Sequence, residues 1–198
     1  MDKLRPLLLI FSFFLVPSLS FGQNKILKAL TPDYINLQYG GSIGYVSAGV
    51  GYHFLGEKTS LSFNYGFVPS SKGGPLNILT PKFDYKPFNI HFGKNVVWKP
   101  INPGLFISYT LGRNFDKKFD PDQYPEGYYW WSTALKIHLG FSTEVKILGS
   151  QKSAIKAVSL YAETNTNDLY LISWFENRTT TPISRIFFMG YGVRLHLK

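Results

Sequence analysis

Apolar side chains recur at every second position along most of this chain, the spacing of strands with one apolar face. Ile35, Leu37, Tyr39, Gly41 and Ile43 alternate with Asn36, Gln38, Gly40 and Ser42. A second predicted strand sets Val46, Ala48, Val50, Tyr52 and Phe54 against Ser47, Gly49, Gly51 and His53, and Leu55-Gly56-Glu57-Lys58 follows as a turn. The third opposes Leu61, Phe63, Tyr65 and Phe67 to Ser60, Ser62, Asn64 and Gly66, before a loop from Pro69 to Pro75. The fourth runs from Leu76 to Tyr85, with Thr80, Lys82 and Asp84 on its polar face, and the stretch holding Pro87, Pro100 and Pro103 predicts irregular chain. Leu105 to Gly112 forms the fifth strand, Tyr129 to Val145 the sixth, Val158 to Glu163 the seventh and Phe187 to Leu197 the last. Outer loops are expected at Pro69 to Pro75, Asn114 to Gly127 and Thr164 to Ser184.

The two faces differ in a telling way. The apolar face is bulky throughout, whereas the other carries Gly, Ser, Thr and Asn with isolated Lys, His, Glu and Arg. A soluble sandwich would bury its apolar faces in one core and display dense charge outside. Bulky residues turned toward lipid and small ones toward a narrow lumen fit an all-β, antiparallel, up-and-down transmembrane barrel of about eight strands. Glycine at the density of Gly40, Gly41, Gly44, Gly49 and Gly51 relieves strain where strands bend around a small circumference.

The N-terminus changes the compartment. Lys3 and Arg5 precede an apolar run from Leu7 to Val16, and Ser20 and Gly22 then suit a signal-peptidase site, so residues 1–22 are expected to be a secretory signal and residues 23–198 one barrel domain. No later segment approaches the roughly 18 apolar residues of a membrane helix. The absence of Cys excludes a disulfide-stapled scaffold and a lipoprotein. The formal net charge is +9; export makes nucleic acid an improbable partner, and anionic lipid or lipopolysaccharide fits the same charge.

The final strand, Phe187 to Lys198, resembles the C-terminal signal by which bacterial outer-membrane barrels engage the barrel-assembly machinery. Tyr191, Val193, Leu195 and Leu197 occupy the matching positions, although the chain ends in Leu197-Lys198 where a terminal Phe is commoner. Residues 23–198 as a whole resemble small eight-stranded outer-membrane barrels such as OmpX and the OmpA membrane domain, and in texture the uncharacterised barrels of Bacteroidota. The segment Asn165 to Asn177 shares that texture. The resemblance implies an outer-membrane location and no particular activity.

Some eight-stranded barrels modify lipid A, a chemistry that needs a nucleophile and a base within reach of each other. His138, Ser142 and Glu144 share one face, but His138 and Ser142 would lie about 13 Å apart along a strand, beyond hydrogen-bond reach. The expected outer loops contain no His, as an acyltransferase would need. His53, His91, His138 and His196 show no metal-ligand spacing, and the loop Asp116 to Asp122 lacks the glycine and terminal glutamate of an EF-hand. No catalytic, cofactor or metal residues are therefore expected. Lys136, His138, Glu144, Glu163 and Arg194 fall on inward faces, where unpaired charge is costly, and are expected to form a structural network that fills the lumen. Tyr128, Tyr129, Trp130 and Trp131 read as an aromatic girdle in preference to an adhesion surface. The function expected is a non-enzymatic envelope or surface component. A lipid A-modifying acyl hydrolase or acyltransferase is the runner-up, with a narrow pore and a water-soluble lipocalin-like carrier behind it. No protein partner beyond the assembly machinery is indicated.

Overall fold

The computed structural model describes residues 30–112, 132, 134–150, 152–180 and 182–198. The strands are β1 (Tyr34–Gly40), β2 (Val46–Phe54), β3 (Thr59–Val68), β4 (Leu76–Tyr85), β5 (Ile90–Phe92), β6 (Val96–Leu111), β7 (Leu135–Leu148), β8 (Ala157–Asn167) and β9 (Phe188–His196). A helix, α1 (Asp168–Glu176), lies between β8 and β9. Each strand of the main ring pairs antiparallel with its neighbours in sequence, and two further ladders close it: β1 with β9, and β4 with β6. The result is a closed, eight-stranded, up-and-down barrel. β5 stands outside the ring count, paired only to β6 through Ile90↔Trp98, His91↔Val97 and Phe92↔Val96.

Alternation in sequence becomes inside and outside in space. On β7, His138, Gly140, Ser142, Glu144 and Lys146 are buried while Leu139, Phe141, Val145 and Ile147 are exposed. On β3, Ser60, Ser62, Asn64 and Gly66 face in, with Phe63, Tyr65 and Phe67 out. The two ends of the ring also differ. The connections at residues 55–58, 86–95 and 149–156 share one end with the start of β1 and the finish of β9; we call this the turn end. The connections 41–45, 69–75 and 168–187 occupy the other, the loop end, where β6 also finishes and β7 begins.

The proline-bearing stretch departs from expectation. Pro100 and Pro103 lie inside β6, a strand of 16 residues. Pro100 is tolerated because the β6–β7 register breaks between Lys99 and Asn102, where a bulge removes the need for a ladder donor, whereas Pro103 keeps its pairing with Phe141 and lies just outside the β4–β6 ladder, whose pair at this end is Asp84↔Gly104. Pro81 has a similar local effect: the β4–β6 ladder carries Leu79↔Tyr109 and Lys82↔Phe106 but lapses between them, where proline has no N–H to give. The first strand also ends earlier than the alternation predicts. Gly40 and Gly41 adopt φ of 74° and 77°, the chain turns, and Ile43 goes inward to 1% exposure. Within the loop expected from Thr164 to Ser184, β8 extends to Asn167 and α1 follows. The expected signal segment and the Tyr129 to Trp131 start of the sixth strand lie outside the described residues.

Gly66 shows what the tight curvature demands. A Cβ at this position would land on the carbonyl oxygen of Ile43, with the Gly44 Cα 3.3 Å away, and both obstacles are backbone that cannot rotate aside. Gly66→Ala is therefore expected to lower stability by about 1–3 kcal/mol, read as a shifted midpoint in urea titration of the refolded barrel. An unchanged midpoint would contradict the close approach of the 41–45 turn to β3.

Candidate functional site

The barrel interior gathers charge from strands far apart in sequence. Lys82 and Asp84 enter from β4, Lys86 from the residue following it by one, Lys99 from β6, Glu144 and Lys146 from β7, Glu163 from β8 and Arg194 from β9, all buried. Those on strands sit on the face that alternation turns inward, and Gly104 leaves room for Asp84 and Lys82, which lie 2.8 and 3.8 Å from where its Cβ would stand.

Glu144 is the centre of the network. Its Oε2 accepts from the Arg194 guanidinium and lies 2.9 Å from Lys86 Nζ, while Oε1 stands 3.8 Å from His196 Nε2. Arg194 extends the network to β4, donating to Asp84 Oδ2 at 3.0 Å. Lys82 joins Asp84 at 3.5 Å and pairs directly with Glu163, whose other oxygen accepts from Asn165 Nδ2 at 3.1 Å. One connected set of ion pairs thus joins β4, β7, β8 and β9. Aromatic rings hold it laterally: the Arg194 guanidinium lies 4.3 Å from the Tyr161 ring and 5.5 Å from that of Tyr34.

The turn end is closed by a residue outside the strands. Leu55, Gly56 and Glu57 all have left-handed backbone, at φ of 50°, 63° and 66°, and the turn directs the Glu57 carboxylate into the mouth. There it accepts from Lys146 Nζ at 2.8 and 3.0 Å and from Lys99 Nζ at 3.4 Å. Burial by itself would raise the Glu57 carboxyl, but the Lys146 hydrogen bond and the charges of Lys146 and Lys99 outweigh it and hold the group down at about 2.

Of the five residues expected in the lumen network, Glu144, Glu163 and Arg194 carry ion pairs. His138 is buried but lies outside those pairs: its Nε2 is 2.8 Å from Ser108 Oγ and its ring stacks on Phe106 at 4.4 Å. Lys136 is half-buried near the loop end and has no ion-pair partner among the described residues. A second pair of the same kind joins Ser159 Oγ and His196 Nε2 at 2.8 Å. The Ser108–His138 pair has the separation of a nucleophile and base, yet His138 Nδ1 meets no hydrogen-bond partner among the described residues, so no third group orients the ring. Tyr191, Val193, Leu195 and Leu197 follow the outward parity of the last strand, and β9 is hydrogen-bonded on both sides. Tyr128, Tyr129, Trp130 and Trp131 lie outside the described residues.

Lys82, Asp84, Lys86, Lys99, Lys146, Tyr34, Tyr161 and Glu57 join the network without being expected there from the sequence. Parity was a usable signal for Lys82, Asp84 and Lys146. Lys99 was masked by the neighbouring prolines, and nothing local marks Glu57 as more than a turn residue. No protein-family model matches the chain, and no curated protein matches it.

Two expectations follow from the network. Glu144→Gln keeps the shape but strands Lys86 and leaves Arg194 with Asp84 alone, and should destabilise the barrel by about 3–5 kcal/mol in urea titration; a loss below about 1 kcal/mol would remove Glu144 from the centre. Glu57 is held below its ordinary value of 4.5, so its contribution is complete above about pH 5 and fades as pH falls through about 2. The stability gap between the native chain and Glu57→Gln should be constant from pH 7 to 5 and shrink below pH 4. A gap that grows on acidification has the wrong sign for this arrangement.

Proposed function

We propose that the protein is a bacterial outer-membrane β-barrel, a non-enzymatic component of the envelope whose lumen is plugged by its own ion pairs. The observation that carries this reading is the inversion of burial. Leu37, Leu105, Leu139, Phe141 and Leu160 are each about half exposed around the wall, while Lys82, Asp84, Glu144, Glu163 and Arg194 are at most 4% exposed within it. In water that arrangement would expose far more contiguous apolar surface than soluble chains carry; in a bilayer it is the arrangement of lowest cost.

The wall also supports the reading in its vertical order. Tyr39, Tyr65 and Tyr191 are exposed toward the loop end and Phe54, Tyr85, Phe88 and Phe92 toward the turn end, with Leu37, Val50, Leu105 and Leu139 between. Trp98 at the turn end donates its indole N–H to Thr143 Oγ at 2.9 Å. Rings toward both ends of an apolar belt, which itself also holds Phe63 and Phe141, are what a barrel needs at two water–lipid boundaries. An even strand number, short turns at one end and long connections at the other orient the turn end to the periplasm and the loop end outward. Lipid and lipopolysaccharide are the resident partners, with the barrel-assembly machinery engaged through β9 during biogenesis. The plugged interior favours an envelope role over conduction, since an eight-stranded ring has room for side chains and little else.

Membrane fractionation and heat-modifiable gel mobility test the location, with recovery in the soluble periplasm counting against it. Conductance in planar bilayers and mass spectrometry of lipid A from cells with and without the gene test the role. No steady current and an unchanged acyl pattern are expected; an acyl change that depends on Ser108 and His138 would replace the non-enzymatic reading. Leu139→Arg, on the belt, should cost about 2–4 kcal/mol on refolding into lipid, against less than about 1 kcal/mol for the inward Ser142→Ala.

A further inference from the structure

The helix α1 has no polar side. Leu169, Tyr170, Ile172 and Phe175 are exposed, none of its nine residues is buried, and Asp168, Ser173 and Glu176 are scattered among the apolar positions. A helix apolar on every side needs an apolar environment around it. It is nevertheless a fixed element. Asn167 Oδ1 accepts from the Tyr170 N–H at 2.9 Å, and Asp168 Oδ2 accepts from the Ile137 N–H at 3.3 Å, just past the last β7–β8 pair, His138↔Asn167. At the far end the Asn177 N–H donates to the carbonyls of Ser173 and Trp174 at 3.1 and 3.2 Å. The Tyr170 ring rests 5.2 Å from that of Phe188 at the start of β9.

Immediately after the helix, the exposed Arg178 guanidinium stacks over Phe175 at 4.4 Å and lies 5.4 Å from the Trp174 ring. Stacking occupies the face of the guanidinium and leaves its N–H edges free to bind a planar or tetrahedral oxyanion. No carboxylate of the described residues pairs with it. Lys72, 5.8 Å from the Tyr45 ring, and Arg185 are exposed at the same loop end. Of the described acids there, Asp168 already accepts from the Ile137 and Leu169 N–H groups, and Glu176 stands alone. Apolar rings in contact with a ring-backed cation match the adjacency of acyl chain and phosphate in a lipid.

We propose that α1 and Arg178 form a docking surface for a phosphorylated, anionic lipid of the leaflet at the loop end. The rings of Trp174 and Phe175 lie among the acyl chains, and Arg178 takes the headgroup phosphate through its N–H edges. The inference rests on the outer-membrane reading and adds to it a binding element and a ligand class.

The chain has no Cys, so single nitroxide labels at Ile172→Cys and Leu139→Cys report on the helix and the belt separately. Both are measured in the refolded full-length protein, in phosphatidylcholine vesicles with and without phosphatidic acid. Relaxation by oxygen exceeding that by a water-soluble nickel chelate at both sites is the expected result. Lipid exposure at Leu139 with nickel access, or shielding from both reagents, at Ile172 overturns the helix inference and leaves the barrel reading intact. Nickel access at Leu139 overturns the barrel reading itself. Binding of phosphatidic acid should weaken roughly tenfold in Arg178→Gln and less in Arg178→Lys, with heat-modifiable mobility unchanged in both. Equal binding by Arg178→Gln removes Arg178 from the site, and competition by inorganic phosphate as strong as that by the lipid removes the acyl chains from recognition.

Discussion

Inside a ring of eight strands there is room for side chains and almost nothing else, so a charge on one inward face must be neutralised by a charge on another. That constraint runs through the whole structure. Glu144 lies on β7, yet its partners are Lys86, beyond β4, and Arg194 on β9, and Arg194 in turn reaches back to Asp84 on β4. None of these pairs is local in sequence. The network therefore couples strands that share no ladder, and it fixes the cross-section of the ring as the hydrogen bonds fix its circumference.

The same constraint explains the glycine and serine of the inward faces. Long inward side chains need space against the neighbouring strands, which Gly104 provides for Asp84 and Lys82, Gly140 for Asn165 and Gly190 for Gln38. Tyr34 lies over Gly51 and Tyr161 over Gly192, so closely that a Cβ at either glycine would collide with the ring. Those two rings in turn flank the Arg194 guanidinium. Small residues, flat rings and long cations are thus one packing solution.

Parity was legible in the sequence and pairing was not. The bounds of β2 and β4 coincide with the alternation that predicts them, because a period of two leaves no doubt about which side chains share a face. Register between strands leaves no such trace. The spacing of His138 and Ser142 along one strand says nothing of Ser108, which arrives from β6 at 2.8 Å. Pro100 and Pro103 do not end the strand as irregular chain would: Pro100 falls in the register shift between Lys99 and Asn102, and Pro103 keeps its pairing with Phe141. Glu57 escaped notice for a different reason: turn chemistry describes its backbone and is silent about where its carboxylate goes.

The ring is sealed by the ladder between β1 and β9, where Tyr34 meets His196 from nearly the opposite end of the chain. Before β9 docks, β1 and β8 are both bare edges, each a template for a foreign strand. Glu144 and Asp84 also lack their guanidinium partner at that stage, since Arg194 belongs to β9. One segment thus delivers the final hydrogen bonds and a central counter-charge together. A seven-stranded intermediate is penalised on both counts, and closing so long a loop is slow on topological grounds alone. A chain without β9 would therefore present two unpaired edges and two under-neutralised interior carboxylates at once, which makes the last strand the one whose loss costs the ring most.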